Sequence, residues 1–135
     1  MKKMNWISDF LELIEAKRTE AFVWGVNDCV LFAADCVMVM GNPDPAEVSR
    51  GKYSTEIGAK KHLKSVYGDI YKAWDGKLER LDNINFVQNG DVVVYESELG
   101  LTSGIYWHGG VFAPSETGVV LVTEKHNQLL AAWRV

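Results

Sequence analysis

The spacing of hydrophobic positions changes near residue 80. Before it, Trp6, Phe10, Leu13 and Ile14 recur at helical spacing, with Asp9, Glu12, Glu15, Lys17 and Arg18 on the opposite side, which predicts an amphipathic helix over residues 5–17. Residues 29–40 are apolar almost all round, with Asp35 the exception, and so predict a central, buried helix. Asp28 is a good N-cap for it and Gly41 a good terminator. Gly41-Asn42-Pro43-Asp44-Pro45 reads as a stiff loop. Ser54-Thr55-Glu56 opens a third helix, which carries Ala59, Leu63, Val66 and Tyr67 on one side and stops at Gly68. A short helical turn around Tyr71 and Trp74 follows.

After residue 80 the period becomes that of strands. Gly90-Asp91 leads into Val92-Val93-Val94-Tyr95, rich in β-branched residues. Residues 103–107 predict a second strand, His108-Gly109-Gly110 a tight turn, and residues 111–114 a third strand that Pro114 ends or marks as an edge. Residues 118–123 predict a fourth. Residues 128–135 fit a short helix, a strand, or one followed by the other. Helices first and an antiparallel meander second make an α+β domain, with the residue 29–40 helix packed on the sheet.

Composition narrows the class. The 135 residues form one domain, residues 1–135, large enough for a real core. A net charge of −4 leaves no basic footprint for nucleic acid or anionic lipid. The longest apolar run is too short to span a bilayer, and the N-terminal stretch lacks an apolar signal core. The expectation is a soluble protein made in a reducing cytoplasm.

The candidate chemistry centres on Cys29. At the start of its helix the thiol meets unpaired amide N–H groups and the positive end of the helix dipole, which predicts a lowered pKa and a nucleophilic thiolate. Cys36 lies two turns away, roughly 10 Å of rise, too far for a disulfide, and reads as a small buried hydrophobe. There is no Cys-x-x-Cys, and His62, His108 and His126 are scattered, so neither a metal site nor any other cofactor is expected.

Phe22-Val23-Trp24-Gly25-Val26-Asn27-Asp28-Cys29 resembles the Tyr-x-Trp-Gly-Gly…Asp-Cys-Ser-Gly opening of the NlpC/P60 superfamily of papain-like cell-wall cysteine peptidases. Asn89-Gly90-Asp91-Val92-Val93-Val94-Tyr95 resembles that family's Pro-Gly-Asp-Leu-Val-Phe-Phe strand, and Ser103-Gly104-Ile105-Tyr106 its His-Val-Gly-Ile-Tyr strand. Over nearly its full length the chain resembles a family of small tail proteins of bacteriophages and prophages. These share Trp-Gly-x-x-Asp-Cys, an Arg-Gly-x-Tyr segment (here Arg50-Gly51-Lys52-Tyr53), a Gly-Asp strand and an Ala-Trp-Arg ending (here Ala132-Trp133-Arg134).

The resemblance implies a papain-like fold, with Cys29 as nucleophile and Trp24 and Asp28 at its pocket. It also marks what is missing. The catalytic His falls where this chain has Thr102, which cannot act as a base near neutral pH, and residues 111–114 supply no polar third member. His108 reads as an exposed turn residue, roughly 20 Å along the strand from the required end. His62, among Lys60, Lys61 and Lys64, reads as part of a solvated face. His126 is the one histidine whose position relative to Cys29 the sequence leaves open.

The resemblance therefore implies a structural or assembly protein of the phage tail tip or hub, in which Cys29 is vestigial. Such a protein is made in the host cytoplasm, sits in the virion tail and has other tail proteins as partners. The alternative is an active cysteine peptidase or amidase that contacts and cuts peptidoglycan during infection. A third reading is a binding module that keeps the cleft near Cys29 and Trp24. Trp107, beside its turn, and Trp133 with Arg134 are candidate interface residues, because Trp and Arg are enriched at binding hot spots.

Overall fold

The computed structural model describes residues 2–123 and 128–135. Among the described residues, four α-helices come first: α1 (Trp6–Lys17), α2 (Cys29–Val39), α3 (Glu56–Val66) and α4 (Ile70–Asp75). Six strands follow: β1 (Glu79–Arg80), β2 (Val92–Ser97), β3 (Gly100–Trp107), β4 (Gly110–Ser115), β5 (Gly118–Val122) and β6 (Leu129–Arg134). They form one antiparallel sheet in the order β1-β6-β2-β3-β4-β5. The α+β class holds. No helix among the described residues is long and apolar enough to cross a membrane.

Local chemistry explains the boundaries. The Asp28 carboxylate accepts from the Leu31 amide, and the Thr55 hydroxyl from the Gly58 amide. Gly68, at φ 102°, closes α3 by donating to the Leu63 and Lys64 carbonyls. The β3–β4 turn puts His108 (φ 46°) and Gly109 (φ 85°) in the left-handed region, the geometry of a two-residue hairpin loop. Pro114 stands inside β4, past the last β3–β4 pair at Ile105↔Phe112, where its missing N–H breaks no bond between those strands.

Residues 129–134, left open between helix and strand by their pattern, form β6. It lies between β1 and β2, in register Val92↔Trp133. Burial on both sides explains the ambiguity: Ala131, Ala132 and Trp133 are all buried, so no alternation marks a strand.

The main core lies between α2 and one face of the sheet. Phe32, Ala33, Cys36 and Val37 of α2, with Met40 just after it, meet Val92, Val94, Ile105 and Trp133, and Phe10 and Ile14 of α1 close one side. A smaller cluster of Val93, Tyr95, Val111 and Ala132 lies on the other face, under Leu81, Ile84 and Val87. The α3 helix has no buried residue.

Candidate functional site

The site is built by residues 22–28 and 49–53, which meet at the start of α2. Asn27 donates to the Glu20 and Ala21 carbonyls, and Val23 and Asn27 exchange backbone bonds, which closes a tight loop. Gly25 adopts φ 82°, and a Cβ there would collide with the Tyr53 carbonyl oxygen, so only glycine lets the two segments touch. Arg50 anchors the second segment through ion pairs to Asp44 at 2.7 Å and to Asp35 of α2 at 2.8 Å. Asp35 also pairs with Lys17 at 3.1 Å, tying α1 into the same network.

Asp28 is the hub. Its buried carboxylate accepts from the Leu31 amide at 3.0 Å, the Gly25 amide at 3.0 Å and the Tyr53 hydroxyl at 2.7 Å. Burial and that bond to Asp28 hold the Tyr53 hydroxyl protonated, well above its ordinary pKa. Asp28 thus caps the helix and fixes the aromatic ring beside it.

Cys29 opens α2 as expected, but its thiol is not activated. Burial pushes it up to about 11; the Ser103 amide and hydroxyl oppose the shift, and the neighbouring Asp28 carboxylate adds to it. Cys29 keeps some exposed surface where it borders the cavity, yet desolvation outweighs the helix N-terminus that should lower the pKa.

The β3 residue that meets Cys29 is Ser103, whose hydroxyl donates to the Cys29 carbonyl oxygen at 3.0 Å. Thr102, at the position expected for the missing histidine, borders the pocket, but its hydroxyl bonds to Ser97 at 2.6 Å and to the Gly100 carbonyl at 3.1 Å. Neighbouring strand residues point to opposite faces, and Ser103 opposes Val94, whose side chain faces α2. Position 103, not 102, is therefore where a base from this strand would reach the sulfur.

A cavity of about 70 Å³ opens beside Cys29. Trp24, Val30, Leu63, Leu99 and Leu101 form its apolar walls, and Ser49, Tyr53, His62 and Tyr67 its polar edge. His62 is the residue that the sequence reading misplaced: it is half-buried in this cavity, not on a solvated face. The Ser49 hydroxyl sits between His62 Nε2 and the Tyr67 hydroxyl, 2.9 Å from each, and the Tyr53 ring packs 5.5 Å from the imidazole. The signal was available. His62 falls at i+3 from Ala59 and beside Leu63, on the apolar side of α3, whereas Lys60, Lys61 and Lys64 lie round the helix.

Among the described residues, His62 alone of the histidines borders this cavity. His108 is exposed on the β3–β4 turn, its amide bonded to Asn89 Oδ1 at 2.7 Å. His126 lies outside the described residues. Among the described residues no group of three or more His, Cys, Asp and Glu is placed to hold a metal ion.

The candidate interface residues are mostly occupied internally. Trp133 has no exposed surface, and its indole donates to Asp75 at 2.9 Å. Arg134 pairs with buried Asp91 at 3.0 Å and donates to the Phe86 carbonyl at 2.9 Å. The expectation of Trp133 as a binding surface is corrected: β6 lies inside the sheet, between β1 and β2, and the indole is wholly buried, whereas the Arg134 side chain keeps 34% of its surface exposed beside Asp91. Trp107 is half-buried, stacked among Trp6, Phe10 and Phe112.

Among curated proteins no match is found. A family described as a domain of unknown function, DUF6950, matches residues 1–135. The match runs the whole length, so the pocket and the core that supports it fall within one family unit, and the chain belongs to the DUF6950 family.

Proposed function

We propose that this chain is a structural or assembly protein of a bacteriophage or prophage tail tip or hub, built on a papain-like, NlpC/P60-type domain that has lost hydrolysis. One observation carries this reading. Cys29 holds a nucleophile's place at the head of a buried helix packed on an antiparallel sheet, yet the strand residue meeting it is Ser103. A serine hydroxyl that donates to the Cys29 carbonyl is no general base, and burial keeps the thiol protonated at neutral pH.

The shared motifs support the same reading through their structural work. Gly25 and Asp28 build the loop, Arg50 and Tyr53 brace it, Asp91 orders its turn through the Gln88 amide at 2.8 Å, and Trp133 and Arg134 hold β6 to Asp75 and Asp91. In this role the protein is made in the host cytoplasm, resides in the virion tail and works through contacts with other tail proteins.

His62 favours a second reading. It shares the Cys29 cavity and would be the base of a cysteine peptidase or amidase acting on peptidoglycan. The test has two parts. Mass spectrometry of purified virions should find the protein at a stoichiometric level; complete absence rejects the tail role. Incubation with peptidoglycan stem peptides should give no cleavage above a Cys29→Ala control. Turnover lost in both Cys29→Ala and His62→Ala, by about 10²–10⁴-fold in the latter, would establish the enzyme reading instead.

A further inference from the structure

We propose that the cavity beside Cys29 receives a branched aliphatic side chain of a partner polypeptide, whose adjoining peptide amide bonds to the Tyr67–Ser49–His62 chain. The tail reading supplies only the source of that partner; the recognition itself is read from the cavity.

Size selects the group. At about 70 Å³ the space within the pocket is roughly half of the ~150 Å³ that encloses benzene, so it takes in a group of roughly three or four carbons, whereas an aromatic ring would be left partly outside. The walls select its polarity. Trp24, Val30 and Leu63 line the inside, while Leu99 and Leu101 on the β2–β3 hairpin line it too and remain 39% and 44% exposed. An aliphatic side chain entering here removes its own surface and that of both leucines from water.

The polar edge selects what is attached. Ser49 has one proton and two neighbours at 2.9 Å, so it donates to one and accepts from the other. If His62 Nε2 carries a proton, Ser49 accepts it and donates to Tyr67, and the chain ends in a free proton on the Tyr67 hydroxyl. If Nε2 is bare, Ser49 donates to it, Tyr67 donates to Ser49, and the free proton moves to His62 Nδ1. With Nε2 protonated the edge therefore presents a hydroxyl donor, and its hydroxyl lone pairs accept in either state. A peptide amide, with one carbonyl and one N–H, matches both. A carboxylate uses only the donors, and a hydrocarbon uses neither.

The outer wall is the helix with no buried residue, so the site can be altered with little risk to the core. Labelled protein is titrated with N-acetyl-L-leucine N-methylamide and followed by amide and indole NMR shifts. Shifts are expected at Trp24, Cys29 and Leu63. N-acetylglycine N-methylamide and N-acetyl-L-phenylalanine N-methylamide should each bind at least tenfold more weakly, the first for want of a side chain and the second for size. Ala59→Leu, which adds bulk to the cavity wall, should weaken the leucine probe at least tenfold while the rest of the spectrum is unchanged. Tyr67→Phe should weaken it about fivefold, the worth of one neutral hydrogen bond.

The leucine probe should also slow alkylation of Cys29, with Cys36, which has no exposed surface, silent throughout. Absence of shifts, equal binding of the glycine probe, or unaltered binding by Ala59→Leu each overturns the proposal. Isovalerate binding as well as the leucine probe would assign the cavity to a free acid and also overturns it. Absence from virions together with leucine-probe binding would reject the tail role and leave this inference standing.

Discussion

Helices α2 and α3 are each eleven residues long and each begins at a side-chain cap, yet they do opposite work. The first is apolar all round except at Asp35 and carries six buried residues; the second has none. The first is held by the core, the second by its cap, its end and the cavity it closes. Hydrophobicity along a chain marks which helix the fold needs. It does not mark which helix makes the site, because a cavity wall is half wet and mixes Ala59, His62 and Leu63 with lysines.

The sharpest way to break this comparison is truncation. Phe32→Ala should cost about 3–5 kcal/mol, because its side chain is wholly buried between α2 and the sheet. Leu63→Ala should cost less, about 1–2 kcal/mol, since Leu63 packs on the edge of the core but is only partly buried beside the cavity. Urea unfolding midpoints measure both. Comparable losses would show that α3 belongs to the core.

The caps give the next largest contrast. Asp28→Ala removes the N-cap and also leaves the Gly25 amide and Tyr53 hydroxyl without their acceptor, at a cost of about 2–4 kcal/mol. Thr55→Ala removes a single exposed bond to the Gly58 amide, costing about 0.5–1 kcal/mol. The same denaturation series compares them, and near-equal values would remove Asp28 as the organising residue of the site.

The smallest effect is read as a rate. With its pKa at about 11 against an ordinary 9.0, Cys29 should react with iodoacetamide about 100-fold more slowly than a free thiol at pH 7.5. The rate should still climb as pH passes 10. The folded pKa is raised, so the protonated thiol is the form the fold favours. Stability should then fall as pH rises from about 9 towards 11, and Cys29→Ala should abolish that part of the dependence. A rate already level at pH 9 would mean that the helix N-terminus wins over burial after all.

Much of the fold was legible in the chain. The period of Trp6, Phe10, Leu13 and Ile14, the apolar run of α2, the caps at Asp28 and Thr55 and the valines of β2 reflect local sterics and burial, which act within a few residues of each position. So does the place of Cys29 at a helix start. Tertiary structure decided the rest, because it turns on groups far apart in sequence. Only packing against β2 made residues 129–134 a strand and took Trp133 off the surface. Only the register of β3 made Ser103 rather than Thr102 the neighbour of Cys29. Only the meeting of α3 with residues 49–53 brought His62 to the cavity. The thiol shows the division most plainly: the sequence determined its helix dipole, a local field, while burial by distant segments determined its pKa, because desolvation depends on everything that surrounds the sulfur.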